Sequence, residues 1–458
     1  MGSASESTLA TAAVDGQKLY GRIAWRLIPY MFLLYIVAYM DRVNVGFAAM
    51  DMKRQLHFSD TIYGTGAGIF FLGYAFCDLP SSLLLRRFGT RVWIARIMIS
   101  WGFVCAGMVF IGSPASFYLL RFLLGVAEAG FVPGMLLYLT FWFPSHERAR
   151  AVAKFMTATS LAGVVGAPLS SALLRLDGAR GLSGWQWLFL MEGVPTVLLG
   201  ISVLFILKDS PEKVTWMTGE EKQWLAGELE RDRAIYGAAE RHHLLDAFRL
   251  PAVWLLVGVY FVIQIGVYIV TLWMPLILSG ISSSLASGLA LQGAEAANAS
   301  LIARYATVPY VLASIATVVV GRSSDRRNER RWHLAGCMAL AAVGFVWAAQ
   351  AGSIVTALCA MSLGAMGLWS TMGPFWALMT RMVGDAAAAG AVAMTVTIGG
   401  VGGFLGPYLT GWLRDRTHSF ASGLYGIGGL ALCAALLALA TPAQHSRLRT
   451  TGSQTTGR

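Results

Sequence analysis

Twelve mostly apolar runs, each near the roughly 20 residues that carry a helix across a bilayer, leave this chain few folds to choose from. Six lie in the first half, at roughly 26–48, 61–85, 92–111, 115–142, 150–174 and 185–207. Six more follow at roughly 252–278, 303–321, 333–350, 354–380, 387–412 and 420–441. Inside hydrocarbon a backbone must satisfy its own polar groups, so runs of this length read as helices. Only 13% of the residues are charged, against roughly 25% in soluble domains. The expected fold class is therefore an all-α polytopic membrane protein embedded in a lipid bilayer.

The net charge of +11 does not point to nucleic acid, because the basic residues sit in short clusters between apolar runs. Lys18, Arg22 and Arg26; Arg86, Arg87 and Arg91; Arg148, Arg150 and Lys154; and Arg322, Arg326, Arg327, Arg330 and Arg331 all fall on one side. The opposite loops carry fewer. By the positive-inside rule both termini are cytoplasmic, and the chain is a multi-pass protein of the inner (plasma) membrane. Residues 1–25 form a cytoplasmic tail without the pattern of a cleaved signal, 208–249 a cytoplasmic linker and 442–458 a second tail. A surface helix is expected from Thr218 to Arg233. The five cysteines lie in apolar runs with no disulfide or zinc spacing, so no metal or cofactor is expected.

A shift of 239 residues brings features of the two halves into register. Arg91 falls on Arg330, Ala167-Pro168 on Gly406-Pro407, Gly125 on Gly364 and Gly134 on Gly373. The implied architecture is two pseudo-symmetric six-helix bundles, 26–207 and 250–441, twelve transmembrane helices in all.

The polar residues inside the runs carry the functional reading. In Tyr35-Ile-Val-Ala-Tyr39-Met-Asp41-Arg42-Val-Asn44 an acid, a base and an amide stand where hydrocarbon should continue. A charge at that depth persists only facing protein or water. At helical spacing Asp41, Asn44 and Ala48 share one face and Tyr35, Tyr39, Arg42 and Gly46 the next. The alternative is a helix that stops near Tyr39, leaving Asp41 and Arg42 in a solvated loop. Arg121 and Glu128 lie seven residues apart, two turns and about 10 Å along one helix. Arg121 alone could be a helix-end anchor beside Pro114; Glu128 lies mid-span and cannot snorkel easily. Burial opposes a carboxylate's charge while a nearby guanidinium favours it. Asp41 beside Arg42, and Glu128 near Arg121, are thus candidates to gain and lose protons. Asp78 reads as a structural hydrogen-bonding group and Glu192 as a packing contact. The second half carries no ionised residue away from its span ends. Its polar content includes Gln264, Tyr268, Trp376 and Thr397, suited to recognising shape and hydroxyls.

The loop Gly321-Arg-Ser-Ser-Asp325-Arg326-Arg-Asn-Glu-Arg330 resembles the glycine–aspartate–arginine motif of the major facilitator superfamily, with Asn328 in place of a glycine. Its first-half counterpart, Ser82 to Arg91 with Gly89, lacks the aspartate. That departure, together with Tyr39-Met-Asp41-Arg42-Val-Asn44, Arg121 with Gly125 and Glu128, Gly184-Trp-Gln-Trp187 with Glu192-Gly193, and Gly373-Pro-Phe-Trp376, resembles the anion:cation symporter family. The resemblance covers nearly the whole chain. It implies a monomeric secondary active transporter that imports a small organic carboxylate with protons by alternating access. Asp41 and Glu128 would couple protons. Arg42, Arg121, Tyr39, Tyr74, Gln264, Tyr268, Trp376 and Thr397 would bind substrate. Gly89, Arg91, Gly321, Asp325, Arg326 and Arg330 would form the gate motif. Thr397 stands where the family often has asparagine, which turns the expectation from a sugar acid toward a less hydroxylated or aromatic one. A proton-coupled exporter of a metabolite or drug is the alternative within the class. A polytopic membrane enzyme is the alternative outside it, and the histidines lack the partners an enzyme would need, so no enzymatic activity is expected.

Overall fold

The computed structural model describes residues 14–236, 250–288, 305–383 and 385–441. Most of the N-terminal tail, the end of the linker and the C-terminal tail fall outside them. The described chain is helical with no strands. The first half comprises α1 (Gly16–Leu56), α2 (Asp60–Phe88), α3 (Thr90–Gly107), α4 (Pro114–Glu128), α5 (Phe131–Thr140), α6 (Ser145–Leu174) and α7 (Gly184–Ile206). Helix α8 (Gly219–Tyr236) lies between the halves in sequence. The second half comprises α9 (Pro251–Gly288), α10 (Thr307–Arg327), α11 (Arg331–Ala349), α12 (Ile354–Ser370), α13 (Met372–Val383), α14 (Asp385–Thr417) and α15 (Ala421–Ala440). With α4–α5 and α12–α13 each forming one interrupted crossing, the halves contribute six crossings apiece.

Among the described residues ten helical stretches are long and apolar enough to span a bilayer by length and composition. The other two crossings, α6 and α10, are diluted by charge at one end: Glu147 to Lys154 in α6, and Arg322 to Arg327 in α10. Large apolar side chains such as Phe103, Phe110, Leu198, Phe205, Val343 and Leu436 stay exposed around the outside. In a bilayer that surface meets lipid rather than water.

The repeat extends to helix ends. Ser113 and Ser353 each open the fourth crossing of their half with a capping box, using Ser116 and Thr356. Pro168 and Pro407 lie inside α6 and α14.

The halves meet along α2–α14, α1–α9 and α6–α10. Glycines bring α2 and α14 together: a Cβ on Gly64 would lie 2.3 Å from the Pro407 carbonyl oxygen, and one on Gly411 would lie 2.2 Å from that of Asp60. At the end of the bundle opposite the start of α1, ionic contacts close the seam. Asp60 pairs with Lys53 and, at 3.1 Å, with Arg414. Asp415 accepts from the backbone N–H groups of Asp60 (3.0 Å) and Thr61 (2.7 Å). A carboxylate of the second half thus caps the N-terminus of a first-half helix, where the free N–H groups and the helix dipole both favour an anion.

Candidate functional site

Helix α1 does not stop at Tyr39. It runs on to Leu56 and ends at His57, whose φ of 52° is left-handed. The alternative of a solvated Asp41-Arg42 loop therefore fails. Both residues stay helical because each finds a partner among neighbouring helices. Successive helical residues point about 100° apart, so the acid and the base face different surroundings.

Asp41 is fully buried inside the first bundle, against α3 and α7. Its Oδ2 accepts from the Trp101 indole N–H and lies 3.3 Å from the Thr196 hydroxyl, and Oδ1 lies 3.5 Å from Cys105 Sγ. Asn44 is buried too, and neither end of its amide has a hydrogen-bond partner among the described residues.

Arg42 faces the other way and donates to Glu128 Oε1. Its guanidinium lies over the rings of Tyr74 (5.1 Å) and Phe70 (5.5 Å), a cation–π setting. The pair is asymmetric: the Arg42 side chain keeps 16% of its surface exposed, that of Glu128 only 1%.

Glu128 is the last residue of α4, where the crossing breaks. Ala129 turns extended (φ −57°, ψ 135°), and Gly130 restarts the chain as α5 from φ 87°, a conformation that favours glycine. The polar groups opened by the break are taken up by α2: Gly130 N–H donates to Asp78 Oδ1 at 3.0 Å, and Ser81 Oγ donates to the Ala129 carbonyl at 2.7 Å. A single unbroken helix over 115–142 was the expectation; the structure replaces it with this interrupted crossing. Broken helices persist at membrane depth only where protein satisfies the freed backbone.

Arg121 is fully buried but is not the partner of Glu128. It donates to the carbonyls of Gly66 (3.3 Å) and Ala67 (3.0 Å) on α2 and lies 4.9 Å from the Phe70 ring, and among the described residues its Nη1 has no hydrogen-bond partner. Two helical turns separate Arg121 from Glu128, and Arg42 on the facing helix is nearer. The expected pairing of acids with bases is thus corrected: Arg42 holds Glu128, and among the described residues no ion pair reaches Asp41.

The second half brings aromatic groups toward the same place. The Tyr268 ring packs on Phe71 of α2 with centroids 3.9 Å apart, and Tyr268 lies close to Arg42 and, with Tyr35 and Tyr310, to Tyr39. Tyr260, Gln264 and Tyr268 are spaced by four on α9 and share a face. Trp376 packs against Tyr260 in that row, with ring centroids 5.3 Å apart and the planes tilted. Gln264 Cγ approaches Gly399. Thr397 lies one turn before Gly400, which faces Ala75 across the seam, and its hydroxyl is spent on the Ala393 carbonyl at 2.9 Å. Two cavities lie elsewhere: about 300 Å³ beside Arg414 and His418, and about 800 Å³ between the start of α1 and α8. Neither gathers paired buried charge, so the candidate site follows the buried ions rather than hollow volume. Among the described residues no His, Cys, Asp or Glu cluster could hold a metal ion.

In the loop motifs Asn328 is left-handed (φ 50°), a conformation asparagine tolerates nearly as glycine does, which accounts for its presence there. Arg330 pairs with Asp325 at 2.6 Å and donates to Ser324 Oγ at 2.8 Å. Arg326 is exposed, and the surroundings of Gly321 leave room for a side chain. In the first half Gly89 turns the chain at φ 86°. The acid missing from that loop comes from Asp209, just past α7, which accepts from the Arg91 backbone N–H at 3.1 Å and lies 3.4 Å from Nε. Sequence reasoning missed Asp209, the Asp60–Asp415 seam and the Trp101, Cys105 and Thr196 contacts. For Glu192 the signal existed: it is an acid mid-span, as Glu128 is.

The model of the Major Facilitator Superfamily matches residues 31–407. A protein of Agrobacterium vitis named "Putative tartrate transporter" is 44% identical over 418 residues, 91% of this chain and 90% of that one. The "Quinolone resistance transporter" of Acinetobacter baumannii is 37% identical over 428 residues, 93% of this chain and 96% of its own. Among solved structures, the inward open conformation of the xylose transporter XylE from E. coli aligns with a TM-score of 0.71 at 15% identity, covering 92% of this chain and 96% of that one, a likeness of fold alone.

Proposed function

The chain belongs to the Major Facilitator Superfamily, and we propose that within it the protein imports a small organic carboxylate together with protons. It is a membrane transporter and not an enzyme. The observation that carries the finer reading is the asymmetric Arg42–Glu128 pair, a shielded acid holding a partly exposed guanidinium.

In this mechanism a proton reaching Glu128 cancels the charge that holds Arg42. The freed guanidinium then grips the substrate carboxylate, because its planar fork suits two parallel hydrogen bonds. Tyr39, Tyr74 and Tyr268 frame it, Gln264 and Trp376 line the second-half wall, and Arg121 adds a second positive group. When substrate leaves and Glu128 loses its proton, Arg42 folds back. The empty carrier then carries no loose charge through its return step, and substrate and proton move together. Placing the basic loops on the cytoplasmic side puts the Asp60–Asp415 seam at the periplasmic end of the bundle. The tartrate name of the Agrobacterium relative supports a hydroxy-acid substrate.

The quinolone name of the Acinetobacter relative favours a second reading, proton-coupled export. Quinolones carry an aromatic carboxylate, so the same guanidinium would serve either direction. The test is uptake into proteoliposomes under an imposed pH gradient with tartrate, galactonate, phthalate, hydroxyphenylacetate and a quinolone. The importer accumulates one of the simple acids when the outside is acidic, and a protonophore abolishes it. Proton-driven movement of the quinolone alone, against the importer's direction, overturns import in favour of export.

A further inference from the structure

Glu192 is a buried acid with no counter-ion among the described residues. It sits on α7 with 4% of its surface exposed, and among the described residues neither of its oxygens has a hydrogen-bond partner. The group facing it is another acid, Asp41, fully buried and within hydrogen-bonding reach. Close packing forces the encounter. A Cβ on Gly193 would lie 2.5 Å from Ala106 N, so α3 and α7 touch backbone to backbone, placing Trp101, Cys105 and Glu192 around one point of α1.

From α3 come Trp101 and Cys105, both directed at Asp41. On α7, Thr196 is 2.7 Å from the Glu192 carbonyl oxygen and 3.3 Å from Asp41 Oδ2; its single proton goes to the nearer carbonyl. From α4, the Glu128 charge acts on Asp41. The charged residues of α6, Glu147 to Lys154, lie at its far end. Among the described residues no ion pair reaches either acid: Arg42 is held by Glu128, and Arg121 by carbonyls of α2.

Two carboxylates in contact, out of water and without a cation, cannot both be ionised. A proton between them turns repulsion into a charge-assisted O–H···O⁻ bond. The available donors decide where it sits. Asp41 receives the indole N–H and the thiol and can carry charge; Glu192 receives nothing.

We propose that Asp41 and Glu192 form a second proton-binding site, in which Glu192 stays protonated, donates its O–H to Asp41, and sets the proton affinity of the acid that cycles. The proposal deepens the proton-coupled reading and rests on it. Asp41 is the proton-carrying group of the pair and Glu192 its positioning residue. The pair therefore works between one proton and two, separately from the Arg42–Glu128 switch.

The test combines the pH profile of transport with infrared spectroscopy. Glu192→Gln keeps an N–H donor where the acid's O–H was, so the pH midpoint of proton-driven uptake stays at the wild-type value. Glu192→Ala removes the donor, makes ionised Asp41 less favourable, and moves the midpoint to higher pH by about one unit, tenfold in proton affinity. At neutral pH the wild type shows the C=O stretch of a protonated carboxyl; the band is lost in Glu192→Gln and kept in Glu128→Gln. A midpoint that falls by about a unit or more in Glu192→Gln means that an ionised neighbour was removed, and overturns the proposal. Persistence of the band in Glu192→Gln overturns it too. The infrared arm needs only the near-isosteric variant, so it stands if Glu192→Ala does not fold. If the wild type shows no proton-driven uptake, the transport reading fails, while the band still decides whether the pair holds a proton.

Discussion

The two halves share a frame and differ in where they place charge. The 239-residue shift lays Asp41 on Gly280, Arg42 on Ile281, Arg121 on Ala360, Glu128 on Gly367 and Glu192 on Ala431. Each ionisable residue buried in the first bundle thus corresponds to a small or apolar one in the second. Both halves nevertheless interrupt their fourth crossing and cap its start with a serine box. The frame does not need the charges. They are a cost borne in one half, since a buried ion is at best neutral for stability even when paired. Among the described residues the second half buries no ion in mid-crossing and offers rings and hydroxyls, and the substrate would lie between a wall that binds charge and a wall that reads shape.

The largest effect expected from this contrast comes from splitting the Arg42–Glu128 pair. Arg42→Ala leaves Glu128 buried without a cation, at a cost of about 3–5 kcal/mol. Thermal unfolding in detergent and substrate uptake should both fail together. Glu128→Gln removes the acid but keeps its shape, so stability is largely retained while accumulation against a gradient is lost. Substitutions in the second half, Trp376→Ala or Tyr268→Phe, should raise KM and leave the pH profile in place. If they moved the pH profile as Glu128→Gln does, the division between the halves would be wrong.

A smaller effect separates frame from function. Gly193 in the first half and Gly367 in the second are equally tight: a Cβ would lie 2.5 Å from Ala106 N in one and 2.5 Å from Ala341 N in the other. Alanine at either position should cost about 1–3 kcal/mol as helices are pushed apart. Only Gly193→Ala also displaces Glu192 and Asp41, so only it should alter the pH dependence of uptake. Equal pH effects from both would mean that the Asp41 environment is not special.

How much of this could be read from residues alone varies with the range of the interaction. The crossings were legible because apolar runs near 20 residues have one solution in a bilayer. Asp41, Arg42 and Glu128 stood out because ions there need a reason. Their pairing was not legible: spacing along one helix favoured Arg121 for Glu128, while the contact that forms lies between helices 86 residues apart. The break after Glu128 left a signal in Gly130 and Pro133, obscured by the unbroken hydrophobicity around them. Asp209 was out of reach of any local motif, lying 118 residues from the arginine it serves. Trp101, Cys105 and Thr196 are residue types that usually only fill space, and nothing in their identity marks the acid they surround.

The smallest effect tests the two edge loops against each other. In the first half Arg91 depends on a distant acid, Asp209; in the second Arg330 finds its acid, Asp325, within the loop, and Glu329 caps α11 by accepting from the backbone N–H groups of Trp332 (2.9 Å) and His333 (3.2 Å) and meeting the His333 ring at 3.0 Å. Partial burial works against the charge of Glu329, but these hydrogen bonds outweigh it and hold the carboxyl below its ordinary value of 4.5. A carboxyl lowered by folding stabilises the folded state above its unfolded value and loses that contribution as pH falls through the folded one. Glu329→Gln should therefore lower stability by about 0.5 kcal/mol at neutral pH, allowing for solvent screening. The gap to wild type should close below pH 4.5, in the window set by that lowered value. Asp209→Asn loosens α3 and its link to the segment after α7 together, so its effect should reach across the first bundle, whereas that of Glu329→Gln should stay within the first turn of α11. Amide exchange measured along both helices distinguishes the two, and equal spread would mean that the Glu329 cap is not local to α11.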